Sequence, residues 1–211
     1  MHAVWRHAIY IMLLQQSKRR FLKACAAGSM VFALAACGEK NTTTSFHGSD
    51  ISGSNLGAEL NMTDHTGQNR TLADFNGKAL LVFFGFTQCP DVCPAAMAQL
   101  AQTMQVLGEQ AKDVQVAMIS VDPERDTPEQ LAQYVKAFHP DFIGLTGTAE
   151  QLKQTAGSFR AFYGKVEQEN GDYSMDHSAS FYLFDKQGNA RVLIRPDASP
   201  QEIADDIQAL L

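Results

Sequence analysis

The hydrophobic pattern of this chain alternates between short apolar runs and amphipathic stretches of helical period. Runs of strand length occupy residues 80–84, 114–121, 142–145, 163–167, 178–184 and 190–194. Apolar residues at helical spacing occupy residues 95–110, 127–139 and 148–159, and a last such stretch begins at Ser199. Residues 59–63 and 68–72, joined by a turn at Thr66 and Gly67, predict a hairpin before the first buried strand. Polar residues 168–176 predict a loop.

Helix-start signals support three of these helices. Thr127 and Ser199 are each followed by proline and, three residues on, by Gln130 and Glu202, which is the pattern of a capping box. Thr148 opens the third helix in the same way. The resulting order is a hairpin, then βαβα, then a further helix, a second hairpin and a last helix. This order predicts an α/β, thioredoxin-like fold, with a central mixed sheet flanked by helices and an N-terminal β-hairpin.

The first 56 residues have a different composition. Residues 18–23 are basic, residues 24–33 are small and apolar, and residues 34–37 read LAAC. This arrangement resembles a bacterial lipoprotein signal, which implies cleavage of residues 1–36 and lipidation of Cys37. Residues 38–56 are rich in Thr, Ser, Gly and Asn. We therefore expect residues 37–56 to be a lipidated cysteine and flexible linker, and residues 57–211 to be the folded domain.

The charge and the cysteine content limit which partners and which chemistry we expect for this protein. All 23 acidic residues follow Cys37, but only 12 of the 17 basic ones do. This excess of negative charge argues against nucleic acid as a partner. Of the four cysteines, Cys25 and Cys37 lie in the leader region, which leaves Cys89 and Cys93 for the domain. Since no other cysteine exists to build a disulfide framework, this pair is expected to carry chemistry.

Cys89 and Cys93 follow the buried strand 80–84 and a glycine, and each precedes a proline. We expect both in the first turn of the next helix, one turn apart on one face. A helix N-terminus favours the thiolate, the form that attacks disulfides and binds metals. Position alone therefore leaves both chemistries open. Two thiolates and an imidazole would suit copper.

A third donor must come from a distant part of the chain. His177 follows the predicted polar loop and precedes the strand 178–184. In a thioredoxin layout this loop faces the start of the dithiol helix, so His177 is either a ligand or an ordinary loop histidine. Asp176 beside it either orients the imidazole or is a turn aspartate.

Three segments of this sequence resemble the signature segments of the Sco/SenC family. They are FGFTQCPDVCP at residues 84–94, VDPERD at 121–126 and YSMDH at 173–177. The resemblance covers residues 57–211. It implies a membrane-tethered, thioredoxin-fold copper chaperone that helps to build the binuclear copper centre of cytochrome c oxidase subunit II. By position, the copper ligands would be Cys89, Cys93 and His177. Residues 121–126 are expected to form a turn and a helix start, without ligands.

The leading hypothesis is a chaperone anchored by Cys37 on the periplasmic side of a bacterial membrane. It would bind Cu(I), Cu(II) or both, with cytochrome c oxidase subunit II or another copper protein as partner and a thioredoxin-like protein as reductant. The alternative is a thiol–disulfide reductase that uses Cys89 and Cys93 to keep a partner's copper-ligand cysteines reduced. The sequence leaves open whether the protein is an enzyme. A peroxidase is disfavoured, because Thr87 lies two residues before Cys89, where peroxiredoxins have a threonine three before the attacking cysteine.

Overall fold

The computed structural model describes residues 45–169 and 171–211; the predicted signal peptide and Cys37 lie outside these residues. Ten strands are β1 (Ser49–Asp50), β2 (Asn61–Asp64), β3 (Asn69–Thr71), β4 (Ala79–Gly85), β5 (Val114–Ser120), β6 (Ile143–Thr146), β7 (Tyr163–Glu167), β8 (Tyr173–His177), β9 (Phe181–Phe184) and β10 (Ala190–Ile194). Four α-helices are α1 (Val92–Leu107), α2 (Pro128–Phe138), α3 (Ala149–Phe159) and α4 (Pro200–Gln208).

Eight strands form one mixed sheet in the order β1-β10-β9-β4-β5-β6-β2-β3. The pairs β4–β5 and β5–β6 are parallel, and β4 pairs antiparallel with β9 on its other side. Strand β4 lies near the middle, and all seven of its residues are buried. Its apolar sequence is what a strand covered on both faces requires. The predicted mixed sheet with its N-terminal β2–β3 hairpin is therefore confirmed.

Helices cover both faces of the sheet. Helix α1 packs against α4 and α2, on the face to which Phe83 points. On the opposite face, Phe159 of α3 packs its ring against Phe84, Tyr182 and Phe184. All three predicted capping boxes are present, at the starts of α2, α3 and α4. Among the described residues, no helix is long and apolar enough to cross a membrane.

Several predicted boundaries were wrong. Helix α1 begins at Val92 and ends at Leu107, where we expected residues 95–110, and a 3₁₀ turn (Gly108–Asp113) follows it. The strand expected over 178–184 is the shorter β9. The expected polar loop 168–176 contains most of β8, which pairs antiparallel with β7 in a separate two-stranded sheet. His177 therefore ends a strand and does not lie in a loop.

The expected flexible linker is also corrected for its described part, residues 45–56. Strand β1 pairs with β10 at the edge of the main sheet. The backbone N–H groups of His47 and Gly48 donate to the two carboxylate oxygens of Asp206, at 2.7 and 2.9 Å. Phe46 packs against the core. The polar composition that predicted a linker belongs instead to an edge strand and turns. The few apolar residues of this segment, with these hydrogen bonds, are enough to dock it on the domain.

Candidate metal centre

Strand β4 leads the chain into the site and ends at a glycine with no room for a side chain. A Cβ atom at Gly85 would lie 2.7 Å from Phe83 Cε1 and 3.1 Å from Cys93 Sγ. Real Cβ atoms essentially never come as close as the 2.7 Å contact with Phe83, and the 3.1 Å contact is tighter than most, so the sulfur of Cys93 packs closely against the backbone at the end of β4. Close backbone approach of this kind is one of the specific uses of glycine.

The two cysteines occupy different environments. Asp91 is the N-cap of α1, so Cys93 lies in the first turn of the helix while Cys89 precedes the helix. The expectation that both belong to the first turn is thus wrong for Cys89. Both thiols are free; Cys89 is half-buried and Cys93 is fully buried. The Cys93 backbone N–H donates to Cys89 Sγ at 3.4 Å, which keeps the two residues together.

Burial reverses the expected effect of the helix N-terminus on Cys93. Removal from water raises the pKa of the Cys93 thiol, and the neighbouring Cys89 adds to the rise, although a hydrogen bond with the Phe86 backbone opposes it. Desolvation disfavours a charged sulfur. Burial therefore favours the thiol form of Cys93 in the metal-free protein, contrary to the expectation from the helix dipole.

His177 reaches this pair from the end of β8. Its Nε2 lies 3.4 Å from Cys93 Sγ, and its Nδ1 lies 3.0 Å from the Ser178 carbonyl oxygen. Because a carbonyl oxygen only accepts, Nδ1 carries the proton and the Nε2 lone pair faces Cys93. Edge-to-face rings of Phe83 and Phe86, with centroids 5.9 and 6.0 Å away, flank the imidazole. The structure thus brings His177 to the dithiol, as predicted.

Asp176 does not orient the imidazole. The Nδ1 atom of His177 contacts the Ser178 carbonyl, and Asp176 is exposed. Of the two roles considered for Asp176, the turn aspartate is also wrong, since the residue belongs to β8. The group that fixes the tautomer is a backbone carbonyl, which a sequence does not mark.

These donors suit a soft metal ion. A cleft of about 300 Å³ borders Cys89, Phe86, Met175 and His177. A sulfur and a nitrogen on one ion, at about 2.3 and 2.0 Å, lie roughly 3.5 Å apart in tetrahedral geometry, close to the observed Cys93–His177 distance. Within residues 45–169 and 171–211, no three Cys, His, Asp or Glu side chains are already clustered as for a metal ion. The structure provides a preformed pair, Cys93 and His177, and Cys89 beside it on the same cleft.

Sequence reasoning missed the residues that support the cysteine loop. Asp126 is buried, and its carboxylate accepts from the Thr87 hydroxyl at 2.6 Å, the Thr87 N–H at 3.1 Å and the Ser120 hydroxyl at 2.6 Å. Burial raises the pKa of Asp126, and the Ser120 and Thr87 donors oppose that rise. We expected residues 121–126 to form only a turn and helix start. The sequence did carry a signal for this role, because two aspartates and an arginine (Asp122, Asp126 and Arg125) follow directly after a buried strand.

Comparisons with known proteins identify the family and the fold. A protein-family model described as SCO1/SenC matches residues 48–211. The SCO2-like protein of Rickettsia felis is 37% identical over 150 residues, which are 70% of this chain and 73% of that protein. Copper-bound ScoI of Bradyrhizobium japonicum shares 35% identity with a TM-score of 0.67, covering 78% of this chain and 99% of ScoI.

A further solved structure adds a redox aspect. BsSco, described as a member of the Sco family of cytochrome c oxidase assembly proteins and as containing a disulfide switch, shares 26% identity. Its TM-score is 0.60, and the match covers 74% of this chain and 94% of BsSco. A family match over most of the chain, relatives above 30% identity and a shared fold lead to one conclusion. The chain belongs to the SCO1/SenC family.

Proposed function

We propose that this chain is a membrane-tethered, periplasmic copper chaperone that assists assembly of the copper centre of cytochrome c oxidase. The observation that carries the proposal is the 3.4 Å contact between Cys93 Sγ and His177 Nε2, with Cys89 on the same cleft. Solved relatives with this fold, such as the Bradyrhizobium japonicum ScoI, contain copper. The oxidase as destination is supported by the family description attached to BsSco.

Three side chains would bind copper, two through sulfur and one through nitrogen. Cys89 and Cys93 would bind as thiolates and His177 through Nε2, because Nδ1 is occupied by the Ser178 carbonyl. Since burial raises the pKa of Cys93, binding must displace the proton of this thiol, and copper affinity should rise with pH. Oxidation of the pair to a disulfide would remove two of three donors. Metal loading is therefore tied to the reduced state.

The experiment is a copper titration of the reduced domain, residues 45–211, and of single variants. We expect one copper per chain for the wild type, and a strong loss of affinity for Cys89→Ser, Cys93→Ser and His177→Ala. His139→Ala is the matched control, because His139 caps the far end of α2 and stacks on Phe142. Undiminished stoichiometry and affinity in His177→Ala would refute the proposed ligand set.

The membrane tether is proposed from the sequence of residues 34–37. Only residues 38–44 separate Cys37 from the first described residue, and β1 docks on the domain soon after. A lipid on Cys37 would therefore hold the domain near the membrane surface. Labelled palmitate should enter the wild-type protein expressed in a bacterium and not the Cys37→Ala variant. Equal labelling of both would contradict the anchor.

A second candidate function is reduction of a disulfide in the copper partner, and the unequal burial of the cysteines favours it. Cys89 borders the cleft, whereas Cys93 lies behind it without solvent exposure. The Cys89 thiolate would attack the partner disulfide and release one partner thiol. Cys93 would then lose its proton and attack Cys89, which releases the second thiol and leaves the Cys89–Cys93 disulfide. A thioredoxin-like dithiol would supply two electrons and two protons to restore the pair.

The two functions differ in their need for His177. A reductase requires both cysteines but not the imidazole as a metal ligand. If His177→Ala restores oxidase activity to a strain that lacks this protein, while Cys93→Ser does not, the reductase is favoured. If both variants fail, copper delivery is favoured.

A further inference from the structure

The hairpin formed by β7 and β8 lies outside the main sheet. Among the described strands, β7 and β8 pair only with each other, and His177 is the last residue of β8. No strand pairing joins β8 directly to β4 or α1, which carry the cysteine site; the nearest such pairing is that of Phe181 with Phe83, four residues beyond His177. Other contacts must hold the hairpin against the rest of the domain. We call the rest of the domain the body, and the contact between hairpin and body the seam.

Apolar packing holds the middle of the hairpin, where Met175 of β8 is buried in the core. Beside Met175, a cleft of about 120 Å³ that is partly open to solvent lies between Tyr163 of the hairpin and Val121 and Leu152 of the body. Dispersion contacts between the two parts are missing where this cleft lies. Polar contacts across the seam therefore add to the apolar packing in holding the hairpin.

The strongest polar contacts join Tyr173, at the start of β8, to Asp122 and Arg125. The Tyr173 hydroxyl donates to Asp122 Oδ1 at 3.0 Å, and Arg125 Nε donates to Asp122 Oδ2. Arg125 Nη1 donates to the Tyr173 carbonyl at 3.0 Å, and the guanidinium carbon lies 3.7 Å from the Tyr173 ring centroid. The Asp122 side chain is 1% exposed and the Arg125 side chain 16%, so these charge-assisted contacts are partly shielded from water.

A second contact across the seam is weaker. Lys165 of β7 forms an ion pair with Glu124 at 2.7 Å, but the side chains are 46% and 67% exposed. Ion pairs this exposed contribute little. The Asp122–Arg125–Tyr173 cluster is therefore the main polar link between hairpin and body.

We infer that Asp122 and Arg125 are positioning residues for His177, acting through Tyr173. Strand β8 transmits the position, since Tyr173 and His177 are its two ends, about 13 Å apart in an extended strand. The same short segment holds the cysteine loop through Asp126 and Thr87. Residues 121–126 thus support both halves of the site from one place: Asp126 supports the cysteine side and Asp122 with Arg125 the histidine side.

Contacts near His177 do not replace this link. Phe162 N–H donates to Ser178 Oγ at 2.9 Å, and Ser178 N–H donates to the Phe162 carbonyl at 3.0 Å. These bonds continue the pairing of β7 with β8 and tie the hairpin to itself. From the body, the Phe83 and Phe86 rings and the Cys93 sulfur contact the imidazole, and none of these contacts is a bond between two charged or strongly polar groups.

The role of His177 as a copper ligand rests on the proposed function, but the position of His177 is tested in the metal-free, reduced protein. In a Cys89→Ser background, Cys93 is the single thiol of residues 45–211, and its alkylation rate by iodoacetamide reports how well His177 covers it. Arg125→Met keeps an apolar side chain and removes the guanidinium, while Tyr173→Phe removes only the hydroxyl. We expect alkylation to rise at least about tenfold in Arg125→Met, which loses two charge-assisted bonds and the contact with the Tyr173 ring, and to rise less in Tyr173→Phe, which loses one bond. His177→Ala is the positive control.

Arg191→Met is the matched negative control, because Arg191 on β10 pairs with buried Asp185 at 3.1 Å and does not belong to the site or seam described above. The ring-proton resonance of His177, assigned by its absence in His177→Ala, should move toward that of free imidazole in Arg125→Met and stay in Arg191→Met. A merely structural loss would lower the unfolding temperature of both arginine variants without moving this resonance.

The inference is overturned if folded Arg125→Met and Tyr173→Phe show the alkylation rate and histidine resonance of the control. Should Arg125→Met fail to fold, Tyr173→Phe decides alone. Failure of copper binding in the wild type, with the expected alkylation pattern intact, would refute the proposed function and leave the positioning role standing.

Discussion

Replacing Gly85 by alanine tests how closely Cys93 is packed against β4. The added methyl would meet three fully buried groups: Phe83 Cε1 at 2.7 Å, Cys93 Sγ at 3.1 Å and Met118 Cε at 3.2 Å. The Phe83 ring cannot retreat freely, because it packs against His177 and Phe181 with centroids 5.9 and 5.5 Å away. Overpacking costs about 1–3 kcal/mol, and removing a strand glycine returns about 0.5–1 kcal/mol. We expect a net loss of about 1–2 kcal/mol in the free energy of unfolding.

The measurement is urea unfolding of reduced, metal-free wild type, Gly85→Ala and a control. Gly157→Ala is that control, because Gly157 lies in α3 and an added Cβ there has no heavy atom within 4 Å beyond its own helix backbone and chain neighbours. Alanine should stabilise this helix by about 0.5–1 kcal/mol. The two changes are thus predicted to have opposite signs. A wild-type unfolding free energy for Gly85→Ala, or equal losses in both variants, would refute the close packing described for Cys93.

Two further changes test buried carboxylates. Burial raises the pKa of Asp64, but hydrogen bonds from Thr66, Arg70 and Gln68 outweigh it and hold the pKa at about 2. This depressed pKa contributes about 2 kcal/mol to the free energy of unfolding, which is present above pH about 4 and lost as the pH falls toward 2. In urea unfolding, Asp64→Asn should lack this acid dependence. A difference between Asp64→Asn and wild type that does not change with pH would contradict the prediction. Thr87→Val removes the hydroxyl that donates to Asp126 and should cost about 1.5–3 kcal/mol at neutral pH. Because the native pKa of Asp126 is already raised by burial and would rise further, this loss should grow with pH; a loss that shrinks as the pH rises would contradict the assignment.

The parts of the fold that the sequence predicted are those with local causes. Thr127, Thr148 and Ser199 start helices because each side chain bonds to a backbone N–H three residues ahead. Strand β4 is predicted because a short run of large apolar residues has no other stable environment than a sheet covered on both faces. In both cases the deciding interaction lies within the segment or depends only on its composition.

The parts that were wrong or missed depend on contacts outside the segment that carries them. Strand β8 is polar because one of its faces is solvated, so its sequence resembles a loop until β7 is placed beside it. Asp126 bonds to Thr87, 39 residues away, and the Tyr173 hydroxyl bonds to Asp122, 51 residues away. A thiolate was expected for Cys93 because only the helix dipole was considered, whereas burial raises the pKa of this thiol.

The proposed ligands are attached to the protein with unequal strength, and this inequality suits a carrier. Cys93 is wedged into the core beside Gly85, so moving it would disturb β4 and α1. His177 lies against the Phe83 and Phe86 rings at the end of a hairpin whose polar bonds to the body are made at Tyr173, each contributing about 0.5–3 kcal/mol. We expect a partner that competes for those bonds to detach the imidazole while the fold stays intact. On the proposed function, transfer begins at the histidine, and the dithiol keeps the ion until the partner's own ligands replace it.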